Sequence, residues 1–236
     1  MQRYFAQVIN QKVILGDDDV HHLLHVMRAR EKEEIEVVSD GKLYSAIIDS
    51  INPLAITVSY EIPSDSELPT DVTLFFALAK GDKIEFVVQK ATELGVNRIV
   101  LIKTERCVVK FDDKDVEKKL SRYQKIAKEA SEQCHRLNVP EIVGVYDIKK
   151  IPDELLSDIN LLAYEKVAGK TDSLFNKTKN NQSTSIMIGP EGGFSEKEVE
   201  YLTKRGFDLV SLGKRILRTE TAAVYALSVI GFLMER

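Results

Sequence analysis

The stretch Gly189-Pro190-Glu191-Gly192-Gly193-Phe194-Ser195 decides how the rest of the 236-residue chain is read. The apolar run Ile186-Met187-Ile188 precedes it, and residues 196–202 follow with helical spacing. Ser195 with Glu198 three positions on is a capping box, so a helix starts here. Gly189, Gly192 and Gly193 allow a tight turn and close approach of a ligand to backbone, while Pro190 biases Gly189 toward extended conformation. The stretch fits neither a P-loop nor the GxGxxG dinucleotide pattern. Taken alone, the loop is also compatible with a tight βα turn that binds nothing. A second stretch speaks for a site. The apolar run 208–212 is followed by Gly213-Lys214-Arg215-Ile216-Leu217-Arg218-Thr219-Glu220-Thr221-Ala222-Ala223, which packs Arg215, Arg218 and Glu220 into six positions. Both loops are expected to leave the same end of neighbouring parallel strands, where open α/β sheets bind ligands.

Working outward, the composition is that of a globular chain with ample core, 44% hydrophobic and 30% charged. Net charge is −4, which excludes a globally basic nucleic-acid binder. The balance is uneven: residues 1–70 carry 6 Lys/Arg against 12 Asp/Glu, and residues 98–136 carry 11 against 7. A local basic surface on an acidic protein follows. Two cysteines, Cys107 and Cys134, offer no metal spacing and no disulfide framework, which suits a reducing, cytoplasmic setting. The N-terminus does not read as a signal peptide and no apolar run reaches membrane-spanning length.

Residues 1–70 read as a small β-rich domain ending in a Pro-containing linker at 61–70. Strand runs fall at 4–8, 12–15, 34–38, 43–48 and 55–60, with a hairpin turn at Ser39-Asp40-Gly41-Lys42. One short helix, from 18 or 19 to 28, carries His21, His22, His25 and Arg28. No carboxylate or cysteine joins the histidines in a ligand pattern, so a metal site is not expected. Arg28 and Arg30 suit either the helix dipole or a phosphate.

Residues 71–236 read as a second, α/β domain of about six strands and four or five helices. A nearly continuous apolar strand at 72–79 leads through Lys80-Gly81-Asp82-Lys83 into a helix that stops at Gly95. Further strands are expected at 98–102, 141–145 and 160–164, a polar loop at 170–184 and a buried last helix at 221–235. A long helix at 114–136 presents Val116, Leu120, Tyr123, Ala127, Ala130 and Cys134 on one stripe. Arg122, Lys125, Glu129, Gln133 and Arg136 fall on the other side, either as a solvated face or as a surface for a polyanion or partner subunit.

Seven segments then meet one family. They are Arg3-Tyr4-Phe5, His22-Leu23-Leu24-His25-Val26-Met27-Arg28, Lys90-Ala91-Thr92-Glu93-Leu94-Gly95-Val96, Glu105-Arg106-Cys107, the run from Arg122 to Arg136, the glycine loop and Leu212 through Ala222. Together they span almost the whole chain in order. The sequence resembles the bacterial 16S ribosomal RNA uridine-N3 methyltransferases, a branch of the knotted (SPOUT-type) methyltransferases. The resemblance implies a PUA-like RNA-binding β-barrel at 1–70 and, at 71–236, a trefoil-knotted α/β domain with a parallel sheet. It further implies S-adenosylmethionine as cofactor, a homodimer, and 16S rRNA or the assembled small subunit as substrate.

The expected cofactor residues are Ile188, Gly189, Pro190, Gly192, Gly193, Leu212, Gly213, Ile216, Leu217, Thr221 and Ala222. Uridine N3 must lose a proton, by a base or by cationic stabilisation of the imide anion. Arg218 suits the second role, because its donor fork matches a delocalised oxygen anion. Glu191 or Glu220 is the expected base, although Glu220 equally suits the N-terminal dipole of the last helix. RNA contacts are expected from Arg3, Arg28, Lys80, Arg106, Arg122 and Arg136. The alternatives are a knotted methyltransferase acting on a tRNA base or a ribose 2′-OH, and a non-catalytic ribosome-assembly protein.

Overall fold

A computed structural model describes residues 1–109, 111, 113–167, 174–178 and 182–235. Much of the polar loop expected at 170–184, and Lys110, lie outside the described residues. The chain divides into two units: residues 1–67 with 131–138, and residues 68–130 with 139–236.

The first unit contains β1 (Arg3–Phe5), β2 (Gln7–Ile9), β3 (Lys12–Ile14), α1 (Asp17–His21), β4 (Glu34–Ser39), β5 (Lys42–Ile51) and β6 (Leu54–Ile62). They form one six-stranded sheet in the order β1-β4-β5-β6-β3-β2, with β1 parallel to β4 and the other pairs antiparallel. The expected hairpin is present: Asp40 and Gly41 take φ of 49° and 73°, and Ser39 pairs with Lys42. Tyr4, Leu23, Ile35, Val37, Ala46, Ile48 and Ile56 form its core. The helix expected to reach residue 28 stops being α-helical at His21 and continues as a π-helical turn, His22–Val26. That turn carries His22 to Tyr4, with Nδ1 and the phenol oxygen 3.0 Å apart. Burial, and then the charges of Glu132 and Asp19, push the Tyr4 phenol up to about 12.

The second unit follows with β7 (Val72–Ala77), α2 (Lys83–Glu93), β8 (Arg98–Lys103), α3 (Asp113–Gln133), β9 (Glu141–Asp147), β10 (Ile159–Ala163), α4 (Leu174–Lys177), β11 (Thr184–Ile188), α5 (Glu196–Lys204), β12 (Phe207–Val210) and α6 (Thr219–Met234). All its strands run parallel in the order β12-β10-β11-β7-β8-β9. The long helix ends at Gln133, three residues before the expected end at 136, and His135 turns the chain at φ 63°.

Alternation along β7 explains why both sheet faces are covered. Leu74 and Phe76 join a core with Ile84, Val87 and Ala91 of α2, Tyr123 and Ala127 of α3, and Ala223, Ala226, Leu227 and Ile230 of α6. Phe75 and Ala77 face the opposite way, into a core with Val199 and Leu202 of α5, and with Phe194 and Phe207. The chain builds outward from β7 through β8 to β9, then crosses to β10 and β11 on the other side. The strand order therefore reverses between β7 and β11, and the loops after these strands open at that point.

Candidate active site

The glycine loop leaves the carboxyl end of β11 and is fixed by contacts on several sides. Gly189 leaves room for Phe194: a Cβ there would come within 2.8 Å of the ring, which is 2% exposed. Thr219 Oγ1 donates to Gly189 O at 2.7 Å, tying the start of α6 to the loop. Gly193 turns at φ 66° and its N–H donates to Pro190 O at 2.9 Å. The capping box is present, and Glu198 does more than close it. Its buried carboxylate accepts from Ser195 N at 2.8 Å and from Glu105 N at 2.7 Å, so the loop after β8 is attached to the same point. Arg106, next in that loop, donates from Nη1 to Gly192 O at 2.9 Å.

The two loops do not follow neighbouring strands as expected, because β10 lies between β11 and β12. The loop after β10 therefore supplies a third wall, Ala163, Tyr164 and Glu165. All three loops line one cavity of about 480 Å³, a size suited to a small ligand or cofactor. Ile188, Gly189, Pro190, Gly192, Gly193, Leu212, Gly213, Ile216, Leu217 and Ala222 line it, together with Glu191 and Arg218. Thr221 does not. It is exposed, and Thr219, one helical frame earlier, takes the inward position at 4% exposure. The wall mixes the aliphatic side chains of Ile188, Leu212, Leu217 and Ala222 with backbone left bare by glycine. Gly213, at φ 112°, has no atom within 4 Å of where its Cβ would stand. An apolar slot edged by accessible backbone amides fits a purine nucleoside.

Charges at the cavity rim are arranged unequally. Lys83, the first residue of α2, places Nζ 2.7 Å from Glu191 Oε1 and 3.3 Å from Glu220 Oε2. Burial pushes the Glu191 carboxyl up, but the bonds from Lys83 and from backbone amides, including that of Lys80, outweigh this and hold it below the usual carboxylate range. Its hydrogen bond to Glu191 in turn raises the Lys83 ammonium. A carboxylate held so firmly in its charged form is a weak base. Glu220 is paired with the same lysine and does not line the cavity, so neither glutamate has the disposition expected of a base. Glu220 Oε2 is buried and accepts no aligned hydrogen bond, although Lys83 is close enough to compensate its charge. Arg218 caps α6 through its backbone, Ala222 N donating to its carbonyl at 2.8 Å. Its exposed guanidinium has no side-chain partner among the described residues.

The six cations expected to meet RNA divide by their surroundings. Arg3 is 4% exposed, pairs with Glu36 at 2.8 Å and donates to His135 O. Arg136 is 3% exposed and holds Glu67 at 2.6 Å. Both are internal ties of the first unit, which corrects their expected place on an RNA surface: a guanidinium so buried needs its carboxylate. Arg122 is exposed but pairs with Glu85 at 2.7 Å, and Arg106 is attached to the glycine loop. Arg28, with φ 54°, and Lys80 are exposed without a side-chain partner among the described residues. The His21 and His25 rings stand 4.8 Å apart, and among the described residues no group of three or more His, Cys, Asp or Glu could hold a metal ion. No helix of the described residues is long and apolar enough to cross a membrane.

A switch-point cavity on a parallel sheet, joined to a separate β-rich unit, defines a class, and sequence comparison agrees on it. Family models described as an RNA methyltransferase domain and an RNA methyltransferase PUA domain match residues 66–231 and 15–59. Ribosomal RNA small subunit methyltransferase E of Bacillus subtilis is 37% identical, over 100% of this chain and 98% of that protein. A methyltransferase from Legionella pneumophila, solved with bound S-adenosylmethionine, is 30% identical over 98% of this chain and 96% of that one, with a TM-score of 0.88. Ribosomal RNA small subunit methyltransferase E from Neisseria gonorrhoeae, also bound to S-adenosylmethionine, gives 31% identity and a TM-score of 0.84, covering 99% and 98%. The chain belongs to the RNA methyltransferase family that includes ribosomal RNA small subunit methyltransferase E.

Proposed function

We propose that the chain methylates N3 of a specific uridine in 16S ribosomal RNA, using S-adenosylmethionine held in the cavity at the ends of β10, β11 and β12. The observation that carries this reading is the Arg218 guanidinium, without a side-chain partner among the described residues, lining a cavity in which Glu191 is held by Lys83. Relatives named as ribosomal RNA small subunit methyltransferases, one of them solved with S-adenosylmethionine, support it, and so does a further methyltransferase solved with the same cofactor. Ile188, Leu212, Leu217 and Ala222 would enclose the adenine, and the backbones of Gly189, Pro190, Gly192, Gly193, Gly213 and Ile216 would offer polar groups to its edge and ribose. The cofactor supplies a methyl group on a sulfonium, which leaves as a thioether when the N3–methyl bond forms. The protein's part is then position and charge.

Arg218 donates to one imide oxygen of the uridine, O2 or O4, which leaves the N3 lone pair open to the methyl group, and stabilises the imide anion as the N3 proton leaves to water. The base must leave its helix stack to reach the cavity. Of the six cations expected to meet RNA, Arg28 and Lys80 are the two without a side-chain partner among the described residues, and they are proposed to meet phosphate. We further assign residues 1–70 to RNA binding and 71–236 to catalysis, with the C-terminal segment threaded as the trefoil knot of the resembling family. Phe86, Tyr225 and Phe232, exposed on α2 and α6, suit burial in a homodimer of a cytoplasmic enzyme. Mass spectrometry of small-subunit RNA from a deletion strain, with and without the gene restored, tests the reaction. Loss of 3-methyluridine on deletion and its return on restoration are expected. A modification that persists, or a different one that disappears, refutes the proposed product.

A further inference from the structure

The rim of the cavity holds a three-charge arrangement that cofactor binding alone does not explain. Lys83 opens α2, Glu191 belongs to the glycine loop and Glu220 to the first turn of α6. One ammonium thus sits between two carboxylates from separate elements. Arg218 lies two residues before Glu220 and lines the same cavity as Glu191. A guanidinium near uncompensated carboxylates forms a bidentate pair with one of them, because its fork matches their geometry. Arg218 makes no such pair among the described residues and stays exposed. The lowered Glu191 carboxyl and the raised Lys83 ammonium accord with a persistent pair.

We infer that Lys83 is a positioning residue: it occupies Glu191 and Glu220, and so keeps Arg218 available to the substrate. The inference rests on the uridine methylation proposed above. It makes Lys83 act through Arg218, without contact to the reacting atoms. It also gives the two glutamates a function as ion-pair partners in place of the base role.

The test uses the full chain, S-adenosylmethionine, and small ribosomal subunits purified from the deletion strain. Calorimetry gives the cofactor Kd, and methyl transfer gives kcat and KM. Lys83→Met exposes both carboxylates to Arg218. Its kcat is expected to fall about a hundredfold, the lower end of what withdrawing one oxyanion-stabilising donor costs, with little change in cofactor Kd. Adding Glu191→Gln and Glu220→Gln to that variant leaves no carboxylate to capture Arg218, and most of the lost kcat is expected to return. Lys83→Arg keeps both pairs and should remain close to wild type, which covers the case in which the triple variant folds poorly. Wild-type kcat in Lys83→Met overturns the inference. So does a loss that the triple variant, folded by its thermal melt, fails to recover, and so does a Lys83→Arg variant as slow as Lys83→Met. A wild-type protein that neither binds the cofactor nor transfers methyl refutes the proposed function instead, and that result precedes any variant.

Discussion

Two loops face each other across the cavity, and they are built on opposite terms. The glycine loop after β11 is attached at nearly every residue: Gly189 to Phe194 and Thr219, Glu191 to Lys83, Gly192 to Arg106, and Ser195 to Glu198. The loop after β12 is anchored at its two ends by Leu212 and Leu217 against the core, and between them it has little beyond Gly213 N donating to Ser211 Oγ at 3.1 Å. Gly213, Lys214, Arg215, Ile216 and Arg218 are exposed, Ile216 to 89%. A rim that must hold a small molecule in one orientation gains from fixed geometry. A rim that meets an incoming macromolecule must keep its donors unspent. The contrast assigns cofactor geometry to the first loop and substrate contact to the second.

The sharpest way to break this contrast is at Arg218. Arg218→Ala is expected to lower kcat by about 10²–10³-fold, about 2.7–4 kcal/mol in the barrier, as loss of an oxyanion donor does. The thermal midpoint and the cofactor Kd should stay near wild type, because the guanidinium holds no side chain among the described residues. A large drop in thermal stability would move Arg218 to the fixed rim and end the comparison.

The reverse pattern is expected at Gly189. A Cβ there meets Phe194 Cε2 at 2.8 Å, and the ring sits in the core with Val199, Leu202 and Phe207. The ring has nowhere to go, so Gly189→Ala should cost about 3 kcal/mol of stability, the upper end for overpacking. Denaturant unfolding measures that cost, and calorimetry should find cofactor affinity lost with it. A stable variant that still binds cofactor would mean the first loop is as loose as the second.

How far these features could be read from sequence follows from how local their causes are. The glycine loop is legible because its signals are adjacent: a proline, three glycines and a serine three residues before a glutamate. The parallel strands are legible because burial on both faces leaves continuous apolar runs. The third wall was not. Residues 160–164 read as a strand, but nothing in them states that β10 inserts between β11 and β12. Arg3 and Arg136 misled for a related reason. Their partners Glu36 and Glu67 lie 33 and 69 residues away along the chain, so an internal tie reads as a surface cation. Glu191 and Glu220 read as candidate bases because Lys83, which occupies both, is remote in sequence and near only once β7 and β11 pair. The shift from Thr221 to Thr219 is a matter of where α6 begins, two residues before the expected start at 221.

Ile216 gives the smallest expected effect and separates the two rims most cleanly. A branched aliphatic side chain 89% exposed at a cavity mouth adds nothing to the fold, so Ile216→Ser should leave stability within about 0.5 kcal/mol of wild type. Its apolar surface becomes useful only when something covers it. Full burial of such a side chain is worth about 1.5–3 kcal/mol, and partial cover by bound cofactor or a splayed base gives part of that. The variant should therefore melt with the wild type while its cofactor Kd or its KM for ribosomal subunits rises about fivefold, the equivalent of about 1 kcal/mol. The constant that moves identifies the occupant: a change in Kd places the side chain over the cofactor, and a change in KM alone places it against RNA. A stability loss with both constants unchanged would show that Ile216 is packed after all, and that the exposed middle of the second loop is not a surface kept for substrate.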